Sequence, residues 1–145
     1  MAKEKIVYNC ARYTGFMLLG ATVLHATLGT AEVLNSIKIG DVRPAIAETL
    51  RTIWIYSTIM LFLSACWTFF IAGELRQLSR KAWWQGILIG LGYAGGSIFT
   101  MSLIGVQPHL VAFAVIGLFL LVPLLIFARH FRSNNNKSTV SSRAA

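Results

Sequence analysis

The chain reads as all-α: an integral membrane four-helix bundle, antiparallel and up-down, with the N- and C-termini both cytoplasmic. Three observations predict this. The 145 residues are 56% hydrophobic and only 12% charged, against about 25% charged in soluble domains, and the mean hydropathy is +0.66. Four runs reach the roughly 20 mainly apolar residues that a spanning helix needs. The basic residues gather on one side of those runs.

The first run covers residues 14–34. It is too long for a cleavable signal peptide, and no small-residue cleavage pattern follows a short apolar core, so the helix is expected to be retained. It has two faces. Phe16, Met17, Leu19, Val23, Leu24 and Leu28 form an apolar side. At about 100° per residue, Gly15, Thr22, His25, Gly29 and Glu32 fan over about a third of the circumference, and this small-polar face is expected to point inward. His25 and Glu32 are seven residues apart, nearly two turns, so an uninterrupted α-helix aims both the same way.

Gly40 and Asp41 break the chain. Asp41 suits a cap, and Pro44 a first turn, so the second helix is predicted over 44–72 although its apolar stretch begins near Thr52. Its first turns are amphipathic, with Glu48 and Arg51 expected to pair at i, i+3. Ser57, Ser64, Thr68 and Ala72 share one face.

The third helix is predicted over 83–104. Lipid tails are as apolar as leucine, so helices in a bilayer associate through small residues that permit close approach. Gly86 and Gly90 form one G-x-x-x-G, and Gly92 and Gly96 form another on a different face. This helix is expected to meet neighbours on two sides, by packing within the bundle or by homodimerisation through one motif. Gly105-Val106-Gln107 is a tight turn into a fourth helix over 108–128, making the last two helices antiparallel neighbours. Pro123 removes one backbone bond there and is expected to bend the helix. Residues 1–132 thus form a single membrane domain. Residues 133–145, rich in Ser and Asn, have too few apolar residues to pack and are expected to be a disordered cytoplasmic tail.

Orientation follows from the basic residues. Lys3, Lys5, Arg12, Arg76, Arg80, Lys81, Arg129, Arg132, Lys137 and Arg143 fall on one side, and Lys38, Arg43 and Arg51 on the other. Ten against three puts both ends and the middle loop inside. Tyr8, Tyr13, Trp83, Trp84, Phe127 and Phe131 mark the inner interface, and Trp54 and Tyr56 the outer one. The net charge of +8 is therefore a property of helix ends, and no nucleic-acid partner is expected. Cys10 and Cys66 lie far apart and form neither a disulfide framework nor a zinc site.

Polar residues gather toward the outer half: His25, Glu32, Glu48, Arg51, Gln107 and His109. His25, Glu32, Arg51, His109 and Glu48 are the candidate ligand or ion residues, with Arg51 the natural partner of Glu32. Helix packing is assigned to Gly86, Gly90, Gly92, Gly96, Ser64 and Thr68. Bis-histidine haem is disfavoured, because His109 and His25 differ by about 10 Å in depth at 1.5 Å per residue. No H-x-x-x-H or E-x-x-H pair supports a metal centre. There is no nucleophile elbow, phosphate loop or spaced carboxylate pair. No catalytic residue, metal or cofactor is expected.

The arrangement His25…Gly29…Glu32, followed by Arg51-x-x-Trp54, resembles patterns in small bacterial four-helix membrane proteins, and the size and layout are similar to DoxX-like proteins. The resemblance implies a bacterial inner-membrane location and transfers no activity. Three readings stay open. One is a non-enzymatic accessory, assembly or stabilising partner of a membrane complex, or a homo-oligomer. Another is a small-solute or proton-linked transporter using His25, Glu32 and Arg51. The third is a membrane-bound metal or redox protein.

Overall fold

A computed structural model describes residues 2–40 and 42–131, and every described element is helical. The order is α1 (Ala2–Leu24), a π-helical segment (His25–Gly29), α2 (Thr30–Ile39), α3 (Pro44–Arg76), α4 (Arg80–Ile104) and α5 (Pro108–Ile126). A further helical turn covers residues 128–131. The π segment joins α1 to α2, giving four rods that are long and apolar enough to cross a membrane: Lys3–Ile39, Pro44–Arg76, Arg80–Ile104 and Pro108–Ile126. The cap expected from Asp41, and the tail over 133–145, lie outside the described residues.

The first helix extends well beyond residues 14–34 at both ends. The apolar run measures what lipid would have to cover, whereas the helix is set by packing: Val7 and Ala11, upstream of that run, are buried. The third helix starts three residues before Trp83 because Ser79 caps it, its hydroxyl accepting from the Ala82 N–H at 3.3 Å. The second helix begins at Pro44 as expected, and residues 105–107 form the short turn. Gly105 sits there at φ 88°, a conformation that favours glycine.

The α3–α4 turn is a Schellman motif. Ser79 N–H reaches the Glu74 carbonyl at 3.1 Å, and Leu78 N–H reaches Leu75 at 3.1 Å. Its left-handed position is Leu78 (φ 57°), where glycine is usual. The leucine side chain packs against the core, which offsets the backbone cost.

Two helical hairpins make the bundle. The α1 helix packs closely along α3, and α4 along α5, while α1–α5 and α3–α4 contacts are lighter. Residues 2–11, 71–87 and 120–131 meet at one end, called proximal here. Val7, Ile71, Leu75, Trp83, Leu120, Leu124 and Phe131 form its core. Trp83 donates its indole N–H to the Leu124 carbonyl at 2.8 Å, satisfying one of the carbonyls that the end of α5 leaves open. A smaller cluster of Leu18, Leu61, Ala65 and Ile116 sits at mid-height.

Between α4 and α5 the backbones nearly touch. A Cβ on Gly90 would stand 3.1 Å from the Gly117 carbonyl, and one on Gly86 would stand 2.6 Å from a Leu124 methyl. The Gly86/Gly90 motif therefore packs inside the bundle. Gly92 and Gly96 do not: both are exposed, with nothing of the chain within 4 Å of where a Cβ would lie. The helix does meet two neighbours, α5 closely and α3 more lightly, but the Gly92/Gly96 face makes neither contact.

Toward the distal end, where α1 passes into α2, the packing loosens. Neither core cluster extends there, and α2 has a light contact with α3 but no substantial one with α4 or α5.

Candidate functional site

The most organised polar arrangement lies at the distal end, around His25. Its imidazole stacks on the Trp54 indole, with centroids 3.7 Å apart and planes 9° apart. His25 Nδ1 and Thr58 Oγ1 are 2.8 Å apart. Thr58 has one hydroxyl proton, donated to the Trp54 carbonyl at 2.9 Å. Its oxygen must then accept from His25, so in the neutral ring Nδ1 carries the hydrogen. Nε2 is left with its lone pair and makes no hydrogen bond among the described residues.

The backbone around His25 is equally specific. The Thr30 N–H reaches back five residues to the His25 carbonyl, closing the π turn. The Thr30 hydroxyl donates to the same carbonyl at 3.2 Å. Trp54 Nε1 divides its hydrogen between that carbonyl (3.3 Å) and Thr30 Oγ1 (3.1 Å). Gly29 makes room for this indole, since a Cβ there would stand 2.5 Å from Trp54 Cζ2. Single-turn π segments inside α-helices are frequent at functional sites.

The π turn also explains where sequence periodicity misplaced Glu32. An i→i+5 ring takes one residue more per turn, so the helix beyond it slips in phase by roughly 100°. Gly15 and Thr22, before the slip, are buried, and His25 and Gly29 within it are half-buried. Glu32 beyond it is exposed. Arg51 and Glu48 are exposed as well. Among the described residues neither the Glu32–Arg51 ion pair nor the Glu48–Arg51 pair forms. His109 is exposed at the first turn of α5. The predicted cluster thus separates into a built group at His25, an exposed histidine at the start of α5, and three exposed charges.

Of the packing residues, Thr68 is buried and returns its hydroxyl to the Ser64 carbonyl at 2.7 Å, with Ser64 half-buried on the same face. Trp54, Thr58 and Thr30 were the residues the sequence did not mark as a site. Trp54 and Thr58 stand one turn apart on α3, a spacing that puts them on one face, but nothing in either sequence segment aims that face at His25.

Among the described residues no group of three or more His, Cys, Asp and Glu lies close enough to hold a metal ion. No protein-family model, curated protein or solved structure matches this chain.

Proposed function

We propose that the chain is a multi-pass bacterial inner-membrane protein with both ends cytoplasmic, and that it serves as an accessory, assembly or stabilising subunit, associating with a membrane partner or with a second copy of itself through α4. The observation that carries this is the exposed glycine face of α4. Gly92, Gly95 and Gly96 have nothing of the chain within 4 Å of a Cβ position. The same helix uses Gly86 and Gly90 for close contact with α5. In lipid, such a surface gains little from burial by acyl chains and much from a facing helix that approaches closely.

The membrane location is supported by the exposure of large apolar residues on every rod, including Leu28, Phe70, Phe99 and Ile126. Soluble monomers rarely expose apolar patches on that scale. Orientation is supported by the described basic residues: Lys3, Lys5, Arg12, Arg76, Arg80, Lys81 and Arg129 belong to the proximal half, and Lys38, Arg43 and Arg51 to the distal half.

Light scattering of the protein in a mild detergent tests it. The expected result is a dimer or larger assembly that Gly92→Leu and Gly96→Leu reduce to monomer without lowering thermal stability. A wild-type protein that is only monomeric and brings no stoichiometric partner overturns it.

A second reading, proton or small-cation transport, is favoured by one observation: the unpartnered Nε2 of His25 at the loosely packed end. Flux into proteoliposomes that is unchanged by His25→Ala and Glu32→Gln removes it. No observation favours the metal or redox reading.

A further inference from the structure

We propose that Arg12, Tyr8 and Arg76 form a site for the phosphate of an anionic phospholipid, an inference that rests on the membrane reading above. Two guanidinium groups converge on one tyrosine ring. The Arg12 guanidinium carbon is 5.5 Å from the Tyr8 ring centroid, and that of Arg76 is 5.7 Å from it. Arg12 Nη1 also donates to the Tyr8 hydroxyl at 3.4 Å. Tyr8 and Arg12 are one turn apart on α1, and Arg76 ends α3, so two antiparallel neighbours each contribute one cation.

This group holds donors and no anion. Each guanidinium offers five N–H donors and no acceptor. Among the described residues neither arginine has a carboxylate partner, and Arg76 makes no hydrogen bond. The acids nearest in sequence are engaged: Glu74 accepts from the Ser79 hydroxyl at 3.4 Å, and Glu4 has its own interaction. The Tyr8 hydroxyl accepts from Arg12, and its own hydrogen goes to no described acceptor.

Both cations are drawn to the same ring, yet they repel each other. An anion bound beside the ring would offset that repulsion, and the two guanidinium forks and the phenol all have donors to offer it. A phosphodiester fits, since it is acceptor-only and suits the planar guanidinium.

Two features favour a lipid over free phosphate. Tyr8 lies 24 positions before Glu32, about 36 Å along a helix, more than the roughly 30 Å of hydrocarbon. Tyr8 therefore sits at headgroup level when the distal polar residues face the other side. One turn deeper than Arg12, Phe16 is exposed at 52% and offers apolar surface to an acyl chain. Two arginines select an anionic headgroup over one whose own ammonium they would repel.

The full chain is first tested for carbonate-resistant membrane association, then purified and measured by native mass spectrometry with added phosphatidylglycerol or phosphatidylcholine. The expected result is retention of phosphatidylglycerol over phosphatidylcholine. Arg12→Ala with Arg76→Ala should weaken it roughly 100-fold, from the loss of two hydrogen-bonded contacts to a charged group. Arg12→Lys with Arg76→Lys keeps the charges, preserves the fold and should retain part of the affinity. Arg80→Ala with Lys81→Ala removes two proximal charges outside the site and should weaken it far less.

Equal losses in the two alanine pairs, or equal retention of the two lipids, overturn the site in favour of diffuse attraction. Displacement of the lipid by millimolar inorganic phosphate overturns it in favour of a free-phosphate site. A protein washed off by carbonate overturns the membrane reading and this inference with it. Lost selectivity in a carbonate-resistant protein overturns this inference alone.

Discussion

Gly117→Ala adds one methyl group where α4 and α5 are closest. The new Cβ would stand 2.8 Å from the Gly90 carbonyl and 3.0 Å from Ala94 Cα, and nearer still to the Ala94 amide nitrogen. All three neighbours are backbone, so no rotamer change relieves the contact. Carbon atoms meet other heavy atoms comfortably at 3.5–4.0 Å, so α5 must retreat from α4 by about 1 Å. That retreat loosens Leu120, Leu121 and Leu124, which belong to the proximal core. Forcing one extra carbon into a packed interior costs about 1–3 kcal/mol, a shift of roughly fivefold to 150-fold in the folding equilibrium. Gly92→Ala is the matched control: same helix class, same added atom, but nothing within 4 Å. Its expected effect on the monomer is a gain of up to about 1 kcal/mol, the advantage of alanine over glycine inside a helix. The assay is reversible unfolding in mixed detergent micelles, followed by far-UV circular dichroism. Equal stabilities for Gly117→Ala and wild type would refute the close-approach argument.

Three further changes follow from the same geometry. Gly29→Ala should expel the Trp54 indole from its stack on His25, because the new Cβ falls 2.5 Å from Cζ2; the indole N–H resonance of Trp54 should move in a nitrogen–proton correlation spectrum, and an unmoved resonance sinks the idea. Trp83→Phe leaves the Leu124 carbonyl without its 2.8 Å donor and should cost about 1 kcal/mol in the micelle unfolding assay, whereas Trp84→Phe at an exposed position should be near neutral; identical losses would show that ring volume alone is being measured. Thr14 is fully buried and its hydroxyl has no partner among the described residues, so Thr14→Val, which keeps the shape, should stabilise by about 1 kcal/mol; a destabilised variant would mean that the hydroxyl is satisfied in solution.

The spans were legible because each depends on one segment alone. Apolar length, Pro44 and Pro108 at helix starts and the three residues after Ile104 fix the number and order of the rods without reference to any neighbour, though not how far the first one runs. The Gly86/Gly90 contact was legible for a similar reason, since a glycine pair can pack closely against any helix. Which of the two glycine faces would be filled inside the chain was not, because that depends on where α5 docks. Glu32 failed for a local reason with a non-local cause. Periodicity assumes an unbroken α-helix, and the π turn that breaks it is held by Trp54 and Thr30 on the His25 carbonyl. Trp54 comes from another helix, so one sequence segment carries no sign of the slip.

The two ends of the bundle are built differently. At the proximal end Phe131, Leu124, Leu75 and Val7 are almost wholly buried, so that end holds the fold. At the distal end no such cluster exists, yet the backbone there departs from the α-helix and gathers an imidazole, an indole and two threonine hydroxyls into one bonded group. A π turn exchanges regular i→i−4 bonds for a wider ring, and helix propensity alone would remove it. Gly29 is the telling residue, because alanine there would favour the helix by about 1 kcal/mol but would collide with Trp54. A core that merely needed filling would have no use for that exchange. If the distal group were only packing, replacing Gly29 by Ala and Trp54 by Leu together should restore or raise stability and leave association through α4 unchanged. If the group has a function of its own, the same double variant should fold well and lose it.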